Sequence, residues 1–291
     1  MKRLLLPIAL IAATAALTAA LSGCAPEPAV GTHVPTPTPT PTKTVPGPAL
    51  PAALSPSQIA ALPATVYDAV IPGLLPAPTD PHFSTANTVA FDTAVYAADF
   101  ATPVARIPAK DFLGKPTVIV PVATKGEWTQ VLTASRQVLP SQAPAGTSAP
   151  AQTSAWTPTS ALKPLRDLPN RVVVSVSAQT LTITDAKGGT VKSFPVGVGT
   201  PDTPTPTGVT GYLQARYLDP AQDQTVHRIQ LTSIHATGRD EPYGGSDGGL
   251  IGVHYQATAS GAVSHGCIRL SADAIAAVDK LALGTPVTIV D

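Results

Sequence analysis

The stretch VSHGCIRL, residues 263 to 270, gathers Ser264, His265, Gly266, Cys267 and Arg269 into one turn-like segment. Each residue type has a chemical use there. A free thiol titrates at about 8.5, so only a few per cent is thiolate at neutral pH. An imidazole nearby can take its proton and make it a nucleophile. Gly266 removes a side chain beside the sulfur, leaving room for a substrate and for backbone N–H groups to face a developing oxyanion. Arg269 offers a planar fork for a carboxylate. Together these residues point to acyl transfer through a thioester, with an anionic peptide as substrate.

The base is less obvious. His265 is nearest in sequence, but neighbours in an extended turn point apart. His254 and His235 precede Cys267 by 13 and 32 positions. In LIGVHYQ, alternation puts Ile251, Val253 and Tyr255 on one face and His254 on the other, beside Gly252, where a cleft can lie. His235 shares a face with Ile229 and Leu231 and reads as a packed histidine. Strand alternation favours His254 as base and leaves His235 as the alternative. A zinc site built from His235, His254, His265 and Cys267 competes with this reading. It lacks the paired short gaps of structural zinc sites and the carboxylate motif of metalloproteases, so no metal is expected.

The chain has only two cysteines, Cys24 and Cys267. Lys2 and Arg3 are followed by an apolar run to Leu21, the charge and hydrophobic parts of a secretory signal. No later segment is long and apolar enough for a second span. LSGC, residues 21 to 24, resembles the bacterial lipobox, in which the cysteine is lipidated. The expectation is therefore a signal peptide over 1–23 and an anchor at Cys24 on the outer face of the cell membrane. An ordinary signal cleavage is the competing reading. With Cys24 lipidated, Cys267 has no intramolecular partner in a compartment where thiols are usually paired. A formal net charge of zero gives no electrostatic case for nucleic acid.

The elements that must hold these residues are mainly strands. Proline numbers 33 and charged residues make up only 12% of the chain, which disfavours helical architecture. Residues 24–56, with PTPTPTPT, read as a disordered, extended linker of polyproline II type. Residues 57–165 read as a β-rich middle region with short strands in TVAFDTAVYAADF, PTVIVPVAT and EWTQVLTA, and with a mobile low-complexity loop at 141–155. From residue 169 the alternation strengthens. RVVVSVS, QTLTITD and TVKSFPVGVG form a hairpin series, followed by strands in VTGYLQARYL, TVHRIQLTSI, GLIGVHYQ and PVTIV. The one helix expected here is SADAIAAVDKLALG, capped by Ser271 and closed at Gly284.

SHGCIRL resembles the signature of the L,D-transpeptidase catalytic domain. So do NRVVVSVSAQTLTITDAKGGTVKSFPVGVG as its opening strands, TPDTPTPTG as its substrate-side turn and GTPVTIVD as its closing strand. The resemblance covers residues 169–291 and fits a lipoprotein of actinobacterial type. It implies a β-sandwich-like catalytic domain with one helix, a Cys267 nucleophile, His254 as proton carrier oriented by the carbonyl of Tyr255, and an oxyanion site at the Gly266 and Cys267 amides. Ser264 and His265 shape the turn, and Arg269 and Tyr255 belong to the substrate side. Peptidoglycan stem peptides are the implied substrates, at the membrane and cell wall. The middle region resembles small SH3-like barrels, on Trp128 and Trp156. Those tryptophans read either as a wall-binding surface or as core.

Overall fold

The computed structural model describes residues 47–238 and 247–291. The signal peptide, Cys24 and the linker up to residue 46 lie outside the described residues. No described helix is long and apolar enough to cross a membrane.

The first β region opens with helix α1 (Pro56–Ala60), capped by Ser55, and continues through β1 (Leu75–Pro76), β2 (Thr85–Val89), β3 (Thr93–Tyr96), β4 (Pro103–Ile107), β5 (Pro121–Lys125), β6 (Trp128–Thr133), β7 (Thr153–Pro158) and β8 (Leu162–Asp167). One sheet runs β4-β3-β7-β6-β5, with β1 also on β7, while β2 pairs with β8. Pro103 and Pro121 stand at the first positions of their strands, where a missing N–H does least harm. Trp128 is fully buried against Tyr96 and Phe100, with ring centroids 5.1 and 5.4 Å away. Its indole N–H donates to the Pro48 carbonyl at 3.0 Å. Trp128 is therefore core, and Trp156 packs partly buried on Phe100 at 4.8 Å.

Two expectations about this region change. Residues 47–56, expected as linker, pack on the sheet: Gly47 lies against Gly126, and Leu54 joins the Trp128 cluster. The stretch 141–155, expected to be mobile, contains the start of β7, and Gln152, Thr153, Ser154 and Ala155 are buried. Its small side chains fit a crowded seam, and their hydroxyls are satisfied there. Thr153 Oγ1 donates to the Ser135 carbonyl at 2.6 Å, and Gln152 Nε2 donates to the Thr133 carbonyl at 2.8 Å. Polar composition suggests a loop, but buried hydroxyls bonded to backbone cost little.

The second region contains β9 (Asn170–Ser175), β10 (Thr180–Asp185), β11 (Thr190–Pro195), β12 (Gly197–Gly199), β13 (Val209–Asp219), β14 (Gln224–His235), β15 (Leu250–Tyr255), β16 (Gly261–Ser264), β17 (Ile268–Leu270), α2 (Ala272–Val278) and β18 (Pro286–Val290). The strands hydrogen-bond in the order β11-β10-β9-β18-β13-β14-β15-β17-β12-β16. Val172 and Val174 of β9, Ile251 and Val253 of β15, and Ile268 and Leu270 of β17 share one core with helix residues Ile275 and Val278. Strands from opposite ends of the path thus bury their apolar faces together, as a sandwich-like fold requires. The fold is mainly β, as the alternation predicts.

Ser271 caps α2 by accepting from the Ala274 N–H. The helix is shorter than expected. Arg216 of β13 donates to the carbonyls of Asp279 and Leu281 at 2.7 and 2.8 Å, satisfying orphan acceptors where the helix turns off. The two regions meet in a further cluster, where Ala86, Val118 and Leu132 pack with Leu168 and Tyr212.

Candidate active site

β17 lies between β15, to which it is parallel, and β12, to which it is antiparallel, with Val253 opposite Ile268 and His254 opposite Arg269. Because Ile251, Val253, Ile268 and Leu270 point into the core, Gly252, His254, Cys267 and Arg269 occupy the other face. A methyl group on Gly252 would sit 3.7 Å from the Cys267 sulfur, so glycine keeps the space over the thiol open. Cys267 is a free cysteine, partly exposed. It lines a cavity of about 570 Å³ together with His254 and His265, a size that suits a peptide-sized ligand.

The His254 imidazole is oriented by its own strand. Its Nδ1 lies 3.0 Å from the Tyr255 carbonyl, which can only accept, so Nδ1 carries the hydrogen. Nε2 is then the basic nitrogen. Burial lowers the His254 pKa below the ordinary 6.5, and the Arg269 charge pushes the same way. Burial raises the Cys267 thiol above its usual value, against the weaker pull of the Gly252 N–H and the Arg269 charge. The thiol contacts the Leu250 carbonyl at 3.9 Å. Both shifts favour the uncharged forms, a thiol and a neutral imidazole.

The turn before Cys267 is tied on several sides. Ser264 Oγ donates to the Cys267 carbonyl at 2.5 Å and accepts from the Gly266 N–H at 3.2 Å. The Gly266 amide, expected at an oxyanion site, is thus turned toward Ser264. Gly266 has φ +103, and a Cβ there would come within 3.2 Å of Ile251, so only glycine suits the position. The loop at 200–208 straps the turn from outside. Thr205 Oγ1 donates to the Gly266 carbonyl at 2.8 Å and accepts from the Gly199 N–H at 2.9 Å. Thr203 Oγ1 donates to the Ser264 carbonyl at 3.3 Å.

Tyr255 serves the site through its carbonyl. Its ring packs toward the core and against His227 at 4.7 Å and is not among the residues that line the cavity. His265 is exposed and lines the cavity. Arg269 shares the strand face of His254 without being among the residues that line the cavity, and its buried Nε has no hydrogen-bond partner among the described residues.

His235 is 1% exposed and plays a different part. Its Nε2–H donates to the Ala134 carbonyl of the first region at 2.8 Å, and its backbone N–H donates to the Ala151 carbonyl at 2.8 Å. Burial, with the Arg136 charge adding to it, pushes its pKa down to about 3. His235 is therefore a neutral latch between the regions.

Sequence reasoning missed the residues of the first region that face Cys267. Tyr67, Asp68, Arg136 and Leu139 line the same cavity. Arg136 is buried and donates to the carbonyls of Ala236, just after β14, and of Gly248 and Gly249, just before β15. Asp247 accepts from the Ser141 N–H and hydroxyl. No local pattern announces such contacts, since they join residues about a hundred positions apart. Among the described residues no three His, Cys, Asp or Glu side chains converge as a metal-binding group.

Residues 169–289 match the family model of the L,D-transpeptidase catalytic domain. No curated protein matches the chain. Among solved structures, the chain is similar to L,D-transpeptidase 1 of Mycobacterium tuberculosis, at 20% identity over 48% of this chain and 78% of that one, with a TM-score of 0.31. It is similar to an L,D-transpeptidase from Mycobacterium smegmatis at 16% identity, covering 75% of this chain and 99% of that one, with a TM-score of 0.32. An L,D-transpeptidase from Stackebrandtia nassauensis gives 16% identity, 42% and 56% coverage, and a TM-score of 0.31.

Proposed function

We propose that this chain, with its L,D-transpeptidase catalytic domain at residues 169–289, cross-links peptidoglycan stem peptides through a thioester on Cys267. The observation that carries the reading is the common face of Gly252, His254 and Cys267, opening on one cavity, with the basic Nε2 of His254 set by the Tyr255 carbonyl.

In this reading Cys267 attacks the carbonyl of the third residue of a donor tetrapeptide. His254 Nε2 takes the thiol proton and passes it to the departing amine of the terminal D-alanine. The Cys267 amide faces the oxyanion, since the Gly266 amide is engaged by Ser264. An amine on a second stem peptide then attacks the thioester, and its proton returns through His254 to the sulfur. Water in place of that amine gives carboxypeptidase activity. Arg269 offers its charge to a donor carboxylate. The resemblance of residues 21 to 24 to a lipobox supports attachment through Cys24 to the outer face of the membrane, beside the wall.

A carbapenem is the direct test, because it acylates a nucleophile without needing an acceptor. Intact-mass measurement is expected to show one adduct on the wild-type protein and none on Cys267→Ala. An adduct retained on Cys267→Ala would overturn the reading.

A further inference from the structure

The cavity wall facing Cys267 carries a feature that the acylation chemistry leaves unused. Asp68 and Tyr67 come from the first region, Tyr217 comes from β13, and all three line the cavity that Cys267 lines. The segment holding Asp68 is fixed. The Arg136 N–H donates to the Ala69 carbonyl at 2.9 Å, the Ile71 N–H donates to the Arg136 carbonyl at 2.8 Å, and Ser135 Oγ holds the Val66 carbonyl at 2.7 Å. The rings are fixed as well. Phe112 stands edge-on between Tyr67, at 4.9 Å, and Tyr217, at 5.6 Å. The chain has few aromatic residues, 4% of its length, and three of them meet here. Tyr67, Tyr217 and the Cys267 sulfur thus border one common space.

The charges of the wall are divided. Arg136 is occupied by three backbone carbonyls, and the acid coupled to it is Asp247. Asp247 in turn accepts from Ser141. Asp68 forms no salt bridge and accepts no side-chain hydrogen bond among the described residues. An exposed carboxylate beside two aromatic rings attracts a primary ammonium, by charge and by the negative ring faces.

We propose that Asp68, Tyr67 and Tyr217 form a subsite for a primary ammonium group of a stem peptide, opposite the nucleophile. The proposal rests on the transpeptidase reading for the identity of the peptide, while the ammonium preference itself follows from the wall. The first region thereby takes part in substrate selection.

Binding without turnover tests it. Calorimetry on the Cys267→Ala protein compares a stem tetrapeptide bearing a free side-chain amine with the same peptide acetylated on that amine. The free amine is expected to bind at least tenfold tighter. Adding Asp68→Asn is expected to erase that difference, and Asp68→Glu is expected to restore most of it. Equal binding of the two peptides, or a preference that survives Asp68→Asn in a protein of unchanged melting temperature, would overturn the subsite. Repeating the titration on carbapenem-acylated wild type tells the two sources of the ammonium apart. A preference that persists assigns it to the acceptor peptide, and a preference that is blocked assigns it to the donor. Wild type that takes no carbapenem adduct would sink the transpeptidase reading instead, leaving the calorimetric comparison to decide the subsite.

Discussion

Cys267 and His254 stand at and on the central strands β17 and β15, where both flanking ladders fix the backbone. Part of the wall facing them comes instead from residues 67–139, which Arg136 and His235 tie to the second region by donating to backbone carbonyls. In the proposed function one region supplies the reacting groups. The other sets the shape and charge of the space in which they react. The two histidines show the same division within one pair of strands: His254 keeps a basic nitrogen free of its carbonyl bond, while His235 spends its N–H on the first region.

Exchanging those histidines is the strongest way to break the comparison. His254→Ala is expected to slow carbapenem acylation by about a hundred- to ten-thousand-fold, the usual loss for a general base. Its melting temperature should change little. His235→Ala should do the reverse, costing about 1–3 kcal/mol of stability through the unpaired Ala134 carbonyl and slowing acylation much less. Stopped-flow acylation with parallel thermal melts decides it, and the opposite order would make His235 the base.

Arg136 tests whether the wall and the reacting face depend on one another. Arg136→Ala leaves the Ala236 and Gly248 carbonyls without their donor and the Gly249 carbonyl with only the Ala236 N–H, a loss of about 2–3 kcal/mol. Leu250 and Gly252, which touch the thiol, follow immediately. Acylation is thus expected to fall as well, although Arg136 is not itself a catalytic residue. Unchanged stability in urea melts would show that the first region merely rests against the second.

Acid should separate the regions before it denatures either. Below the ordinary 6.5 an unfolded His235 takes a proton, while the folded one stays neutral to about 3. The unfolded state then binds more protons, so stability falls as pH falls, by about 1.4 kcal/mol per unit from this group. His254, also lowered by burial, adds in the same direction. Urea midpoints across this window should fall less steeply in His235→Gln than in wild type, and identical slopes would refute the latch.

Much of the reacting face could be read in the sequence, because strand alternation is local. The pattern LIGVHYQ suffices to set His254 beside Gly252 and opposite Ile251 and Val253, and SHGC marks its own turn. The wall could not be read, because Arg136 and Asp68 reach the cavity only through long-range packing. Tyr255 shows that a motif can carry backbone as well as side chain: its carbonyl meets Nδ1 of His254, while its ring packs on His227. The stretch 141–155 shows a limit, since buried hydroxyls that satisfy backbone groups leave the same composition as a solvated loop.

The loop at 200–208 lies between these extremes, since it belongs to the second region yet acts on the reacting turn from outside. Thr205 joins the Gly199 N–H and the Gly266 carbonyl through one buried hydroxyl. Thr205→Val keeps the volume and removes both bonds, so about 1–2 kcal/mol of stability should be lost. Gly266 is held at a φ that other residues rarely adopt, and releasing its carbonyl lets the turn relax. Acylation should therefore slow severalfold, with the pH dependence of the rate unchanged, because His254 is untouched. Thr203→Val, which removes a longer bond at 3.3 Å, should have the smaller effect. Equal effects from the two variants would mean that the loop acts by packing alone and that the hydroxyl of Thr205 does not set the turn.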